Sequence, residues 1–290
     1  MIVQIMGAGA LGSLIGYLIQ KAGYDVLFIA RRKQHEALKA GLRISGIVND
    51  AIQVKVYNSP KDADLTFLTV KAYDTEEAVK KLAEVNCGIV CSLQNGLKID
   101  EIMKKYLNKP VRGITTYAAY LVEWGHVFFA AEGEIIIGDL NKNKYSKKVL
   151  EVLKASNIKA WIVEDIKEKV WEKTIINAVI NPLTALCRVR NGEILKRREL
   201  WDIAKEITHE CKITAEKTGI KVEKIEEKIK KVIMKTSENK SSMLQDLERG
   251  RRTEIDFING AIVEIAKKFG IHTPINNLIV KLIKGAESRK

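Results

Sequence analysis

The sequence predicts an α/β chain in two parts, a parallel or mixed sheet wound with helices and then an all-α part, and three observations carry that prediction. A short apolar run at residues 2 to 6, IVQIM, meets the glycine loop GAGALG at 7 to 12, and helical periodicity follows at once in LGSLIGYLIQKAG. Further short apolar runs recur at DVLFIA, 25 to 30, LTFLTV, 65 to 70, and GIVCSL, 88 to 93. After about residue 165 the strand signals stop and helical periodicity continues to the C-terminus, broken by turn signals near Asn191 and Gly192, at Gly219 and from Gly270 to Pro274. The boundaries expected from this pattern are 1–165 for the first domain and 166–290 for the second.

Strand, glycine loop and helix in that order satisfy the context that a dinucleotide fingerprint requires. Gly7 makes the tight turn, Gly9 lets the backbone approach a pyrophosphate, and Gly12 permits close packing of the helix. Ala8, Ala10 and Leu11 complete the loop, and the helix start supplies unpaired amides and a positive dipole end. A Rossmann-type dinucleotide-binding domain is therefore expected. The second strand ends at Arg31 and Arg32, where an acidic residue would hold the ribose hydroxyls of NAD. A guanidinium there favours the 2′-phosphate of NADP(H), with NAD(H) as the weaker alternative; the competing reading is a basic loop. Lys71 and Asn95 stand at strand C-terminal ends, where an open parallel sheet forms its ligand crevice. GITTYAAYL, 113 to 121, reads as strand and loop, and HVFFAAEGEIIIGDL, 126 to 140, alternates like an antiparallel hairpin, so the sheet is expected to be mixed.

In the second part, WEKTIINAVINPLTAL at 171 to 186 carries Lys173, Asn177 and Asn181 at i, i+4 and i+8 of an otherwise apolar helix. Steps of four drift by only about 40°, so the three share one face in a stripe roughly 12 Å long. The apolar neighbours Ile175, Ile176, Val179 and Ile180 imply a buried helix. Such a stripe admits two readings, hydrogen bonds between helices or a wall facing a polar ligand. Pro182 cannot donate to the carbonyl of Ala178, so a kink or helix end is expected here, leaving a backbone acceptor free beside Asn181. Downstream, Ser242 stands before an apparent helix with Gln245 in capping-box position, a cap or a hydroxyl offered to a carboxylate.

Composition narrows the alternatives. The net charge is +13, but the lysines are spread along the chain and alternate with acids in KVEKIEEKIKKVIMK, 221 to 235, so nucleic acid is not the expected partner. No apolar run reaches the ~18 to 20 residues of a membrane span, and the N-terminus lacks a basic region before its apolar start, so a cytoplasmic location is expected. The four cysteines form no C-x-x-C pair and the four histidines are scattered, so neither a disulfide framework nor a metal site is expected. Cys87 precedes the loop of Asn95 and is either a packed thiol or a handle for control by a thiol metabolite. The oligomeric state stays open, a homodimer included.

GAGALG, TVKA at 69 to 72, QNG at 94 to 96, GITTYAA, EKTIINAVINPLTAL, NGE at 191 to 193 and SSMLQDLERGRRTEIDFINGAI occur in an order that resembles the ketopantoate reductase (2-dehydropantoate 2-reductase) family along essentially the whole chain. The resemblance implies NADPH-dependent reduction of 2-dehydropantoate to (R)-pantoate, on the route to pantothenate and coenzyme A. It implies Lys173 as proton donor, with Asn177, Asn181, Asn191 and Ser242 as substrate contacts. The resemblance also implies Asn95 and Glu254 beside cofactor and substrate, and Lys71 and Ala119 match cofactor positions of the family. Asn239 and Ser241 match the loop that holds the substrate carboxylate. Tyr117 departs from members that have His in this loop. Glu254 is the expected counter-charge of Lys173, with a site expected between the two domains. A relative acting on another 2-keto acid, or a dinucleotide sensor without chemistry, is the competing reading.

Overall fold

A computed structural model of the chain describes residues 1–141 and 144–287. It divides into two compact units, one of residues 1–94 and 99–166, the other of residues 95–98 and 167–290. Among the described residues the first unit contains twelve strands: β1 (Ile2–Met6), β2 (Asp25–Ile29), β3 (Leu42–Gly46), β4 (Asp50–Ile52), β5 (Lys55–Tyr57), β6 (Leu65–Leu68), β7 (Ile89–Ser92), β8 (Pro110–Thr115), β9 (Ala118–Glu123), β10 (His126–Ala131), β11 (Ile135–Asp139) and β12 (Ala160–Ile162). Its helices are α1 (Ala10–Lys21), α2 (Arg32–Lys39), α3 (Thr75–Leu82), α4 (Ile99–Tyr106) and α5 (Ser146–Ala155).

Eight strands form the large sheet in the order β12-β11-β8-β7-β6-β1-β2-β5. The pairs from β5 through β8 are parallel, β11 runs antiparallel to β8, and β12 runs parallel to β11. The mixed α/β fold is therefore as the sequence predicts. From β1 the chain goes first to β2 on one side and later to β6 on the other. That reversal of winding opens a crevice at the strand C-terminal ends, beside the glycine loop.

A second sheet of four strands, β4-β3-β10-β9, packs on α1. It accounts for the apolar length of α1, whose Leu14, Ile15, Tyr17 and Ile19 are all buried. It also corrects the hairpin expected at 126–140. β10 pairs antiparallel with β9 and belongs to the small sheet, whereas β11 pairs with β8 in the large one. Alternation along a strand records one buried face, and both strands have one; it does not record which sheet supplies the partner.

The second unit is helical, with α6 (Ile166–Cys187), α7 (Glu193–Lys196), α8 (Arg198–Lys217), α9 (Ile225–Lys235), α10 (Ser242–Glu248), α11 (Asn259–Lys268) and α12 (Pro274–Glu287). Its core includes Ile175, Val179, Ile207, Cys211, Ile229, Ile262 and Ile279, all buried. Pro274 opens α12 at a position where a missing amide costs nothing. The carboxylate of Glu210 replaces a side-chain cap, accepting from the amides of Ile275 and Asn276, each at 2.9 Å.

Candidate active site

In the first unit the glycine loop is held by backbone contacts. The amides of Gly7 and Ala8 both donate to the Ile29 carbonyl, at 3.2 and 3.1 Å, tying the end of β1 to β2. Gly7 has φ +107°, and a Cβ there would lie 2.6 Å from the Val70 nitrogen; a Cβ on Gly12 would lie 2.3 Å from the Gly7 oxygen. Around Gly9 the space is open, with nothing within 4 Å of a Cβ. Two glycines thus close the turn while the third leaves a clear approach. No side chain caps α1, so its first amides face the same space. This arrangement fits a dinucleotide pyrophosphate.

Gln34 and Thr69 fix the loop from outside. The Gln34 amide donates to the Ala8 carbonyl at 2.7 Å, and the Thr69 hydroxyl to the Gly7 carbonyl at 2.8 Å. Thr69 leads to Lys71, which precedes a 3-10 turn at Ala72–Asp74. Gln94 joins this segment to the QNG loop. Its Nε2 donates to the Val70 carbonyl at 2.8 Å and to the Thr75 hydroxyl at 2.7 Å, while the Ser92 hydroxyl donates to its Oε1 at 3.0 Å. The fully buried Arg112 supports the arrangement, donating to the Gln94 carbonyl at 2.9 Å and pairing with Asp100 at 2.9 Å. Ala119 lies in β9 opposite Phe129, half-buried. Arg31 flanks α2 and is held by Glu77 of α3 through both terminal nitrogens, at 3.2 and 3.0 Å. Cys87 is half-buried, and burial raises its thiol pKa.

In the second unit α6 runs without a break from Ile166 to Cys187, so Pro182 does not end it. Trp171, Thr174, Ile175, Ala178 and Val179 are buried, whereas Lys173, Ile176 and Asn177 are only half-buried and Asn181 is 5% exposed. The expectation of a buried helix is therefore corrected at Lys173, Ile176 and Asn177. The polar stripe descends from a partly open face at Lys173 to the interior at Asn181. The carbonyl of Ala178 that Pro182 cannot serve accepts from the Asn259 Nδ2 at 3.0 Å. The same Nδ2 donates to the Asn276 Oδ1 at 2.9 Å, and the Asn276 amide to Glu210 at 2.7 Å. A buried chain of side chains thus fastens α6 at the residue next to Asn177.

Asn259 begins α11 five positions after Glu254, and this segment holds the QNG loop as well. The Asn95 amide donates to the Glu254 carboxylate at 3.2 Å, and the Leu97 backbone amide to the Phe257 carbonyl at 2.8 Å. Glu254 is 7% exposed, so its charge is held by donors rather than by water. Asn95 and Glu254, far apart in sequence, are brought together.

The remaining predicted residues surround the start of α10. Ser241, not Ser242, is the N-cap, its hydroxyl accepting from the Leu244 amide at 3.2 Å and from the Thr184 hydroxyl at 2.7 Å. Ser241 is buried and its hydroxyl is engaged; Ser242, one position inside the helix, is exposed. Asn191 is buried, its backbone amide donating to the Asn239 carbonyl at 3.0 Å and its side-chain amide to the Thr236 hydroxyl at 2.9 Å. Asn239 is exposed. The structure therefore places Ser241 and Asn191 as supports of this loop, and Asn239 and Ser242 on its open side.

Sequence reasoning did not single out Gln34, Gln94, Arg112, Asn259 or Glu77. The orphaned Ala178 carbonyl was a signal that some donor must exist, and Asn259 is that donor.

A doubly wound dinucleotide fold joined to a helical unit with a lysine and asparagine stripe defines the class, a Rossmann-type oxidoreductase. The chain belongs to the ketopantoate reductase family. The model described as "Ketopantoate reductase PanE/ApbA" matches residues 3–142, and that described as "Ketopantoate reductase PanE/ApbA C terminal" matches residues 165–287. The 2-dehydropantoate 2-reductase of Archaeoglobus fulgidus is 50% identical over 99% of this chain and 98% of its own length. Among solved structures, a PanE/ApbA family ketopantoate reductase from Ralstonia eutropha JMP134 is similar with TM-score 0.93 and 27% identity, covering 100% of this chain and 99% of that one. D-mandelate dehydrogenase, solved with NADH and anilino(oxo)acetate, is similar with TM-score 0.91 and 25% identity, covering 99% of this chain and 98% of that one. Among the described residues, no helix is long and apolar enough to cross a membrane.

Proposed function

We propose that the chain reduces 2-dehydropantoate to (R)-pantoate with NADPH, on the route to pantothenate and coenzyme A, in the cytoplasm. The observation that carries this reading is the stripe on α6, a half-buried lysine followed by two asparagines on one helix face. The 2-dehydropantoate 2-reductase name of the half-identical archaeal relative supports the substrate.

When bound, the nicotinamide supplies a hydride to the C2 ketone; the chain supplies everything else. The glycine loop and the start of α1 hold the pyrophosphate, with Lys71, Asn95 and Ala119 as further cofactor contacts and Arg31 for the 2′-phosphate. Lys173 stabilises the alkoxide that develops on the substrate and gives it a proton from Nζ. Glu254 serves as counter-charge to that ammonium and, through Asn95, holds the QNG loop in place. Asn177 and Asn181 donate and accept hydrogen bonds without adding net charge, which suits a substrate with hydroxyl, ketone and carboxylate oxygens. Asn239 and Ser242 receive the carboxylate on the loop that Asn191 and Ser241 brace.

A second reading, reduction of a different 2-keto acid, is favoured by the similarity to D-mandelate dehydrogenase, whose bound ligand is anilino(oxo)acetate. Steady-state assays of 2-dehydropantoate, pyruvate, 2-ketoisovalerate and phenylglyoxylate with NADPH separate the two. The proposal expects the highest kcat/KM for 2-dehydropantoate. A higher value for phenylglyoxylate would transfer the assignment to aromatic 2-keto acids.

A further inference from the structure

We infer that Glu77 determines how strongly the chain discriminates between phosphorylated and unphosphorylated dinucleotides, by occupying the Arg31 guanidinium and placing a carboxylate beside the position of the adenosine ribose. The inference rests on the reading of the β2 terminus as the ribose end of the cofactor site.

Arg31 presents both terminal nitrogens to Glu77, Nη1 to Oε2 at 3.2 Å and Nη2 to Oε1 at 3.0 Å. This two-point fork is the geometry a guanidinium would offer to a phosphate, so the carboxylate and a 2′-phosphate compete for the same donors. Glu77 is also held by Lys81, one turn along α3, at 2.8 Å. Lys81 first and then Arg31 hold its carboxyl below the usual carboxylate range, so it is ionised at neutral pH. The neighbouring Glu76 is drawn off by Lys80 at 2.9 Å and by the Tyr106 hydroxyl at 3.0 Å, which leaves Glu77 as the carboxylate in contact with Arg31.

The consequences for the two cofactors have opposite sign. A 2′-phosphate must share or displace a bidentate carboxylate and then stand near its negative charge. A free ribose 2′-hydroxyl carries no charge and can donate to that carboxylate, as acidic residues at the end of the second strand do in NAD-binding folds. One side chain therefore weakens the selectivity that Arg31 alone would confer. The pair is exposed, 44% at Arg31 and 53% at Glu77, and exposed pairs contribute little to stability, so its removal tests ligand selection without endangering the fold.

The test is fluorescence titration of NADPH and of NADH into wild type, Glu77→Gln and Arg31→Ala. Glu77→Gln is expected to tighten NADPH by about 3- to 10-fold, the scale of one screened charge contact, with NADH unchanged or slightly weaker. An unaltered ratio of the two affinities in Glu77→Gln overturns the inference. If Arg31→Ala still selectively weakens NADPH in the same series, the cofactor reading stands without it. If Arg31→Ala leaves the ratio unaltered too, that reading falls with the inference.

Discussion

The glycine loop of the first unit and the stripe of the second hold their functional groups in opposite ways. Around residues 7 to 12 the surface proposed to hold the cofactor is backbone, made by glycines that keep side chains out and by amides at the start of α1. Along α6 it is side chain, one lysine and two asparagines projecting from a regular helix. The first arrangement can be damaged by adding a methyl group. The second can be damaged by removing a polar group or by disturbing the scaffold beneath it.

Four substitutions and one chemical reaction sharpen this contrast. The largest effect is expected at the half-buried end of the stripe, where Lys173→Ala should lower kcat by about 10²- to 10⁴-fold, the usual worth of a positioned proton donor. Next is Asn259→Ala, which removes the donor to Ala178 and to Asn276. It should cost roughly 2 to 4 kcal/mol in urea denaturation, because the buried Ala178 carbonyl loses its donor and the Asn276 Oδ1 keeps only the weak Cys211 thiol. Stability unchanged within error would show that α6 does not depend on this support.

Smaller effects are expected in the glycine loop, and they should separate. Gly12→Ala forces a Cβ to within 2.3 Å of the Gly7 oxygen, so both melting temperature and dinucleotide affinity should fall. Gly9→Ala meets no protein atom within 4 Å, so the melting temperature should hold while dinucleotide affinity falls, by about tenfold if roughly 1.4 kcal/mol of phosphate contact is lost. Equal behaviour of the two variants would break the distinction between a glycine that closes the turn and one that admits the ligand.

The smallest effect is chemical. Alkylation should reach exposed Cys187 first and half-buried Cys87 later, with Cys91 and Cys211 last. Burial raises the Cys87 thiol above its ordinary pKa and pushes Cys91 to about 12. The reactive thiolate forms on deprotonation, so the Cys87 rate should still be rising at pH values above the ordinary thiol pKa, where an unshifted thiol levels off. A plateau near that ordinary pKa would contradict the shift, and mass spectrometry after timed alkylation reads both order and profile.

What the sequence made legible follows from which interactions are local. GAGALG and the start of α1 are contiguous, and the spacing of Lys173, Asn177 and Asn181 is a property of one helix, so both could be read in a single pass. The helix breaks at Gly192, Gly219 and Pro274 likewise coincide with turn chemistry. The small sheet was not legible, because β3 and β4 are only 5 and 3 residues long and β10 takes its partners from β3 and β9 rather than from β11. The contacts that brace the site are long-range. Gln94 reaches Val70 and Thr75, Asn95 reaches Glu254, and Asn259 reaches Ala178; no periodicity joins such positions. Glu77 is 46 residues from Arg31, and only the fold brings the two into contact. The capping-box spacing pointed to Ser242 as the cap of α10, and the hydrogen bond from the Leu244 amide gives that place to Ser241, one residue earlier.

In the proposed mechanism the stripe acts on the substrate while the glycine loop holds the cofactor. It is tested most directly by measuring, on the same Lys173→Ala preparation, turnover of 2-dehydropantoate and the dissociation constant of NADPH. Turnover should fall by about 10²-fold or more with NADPH affinity within about twofold of wild type. Wild-type turnover, or a loss of cofactor affinity as large as the loss of turnover, would contradict the assignment of Lys173 to the reacting carbonyl.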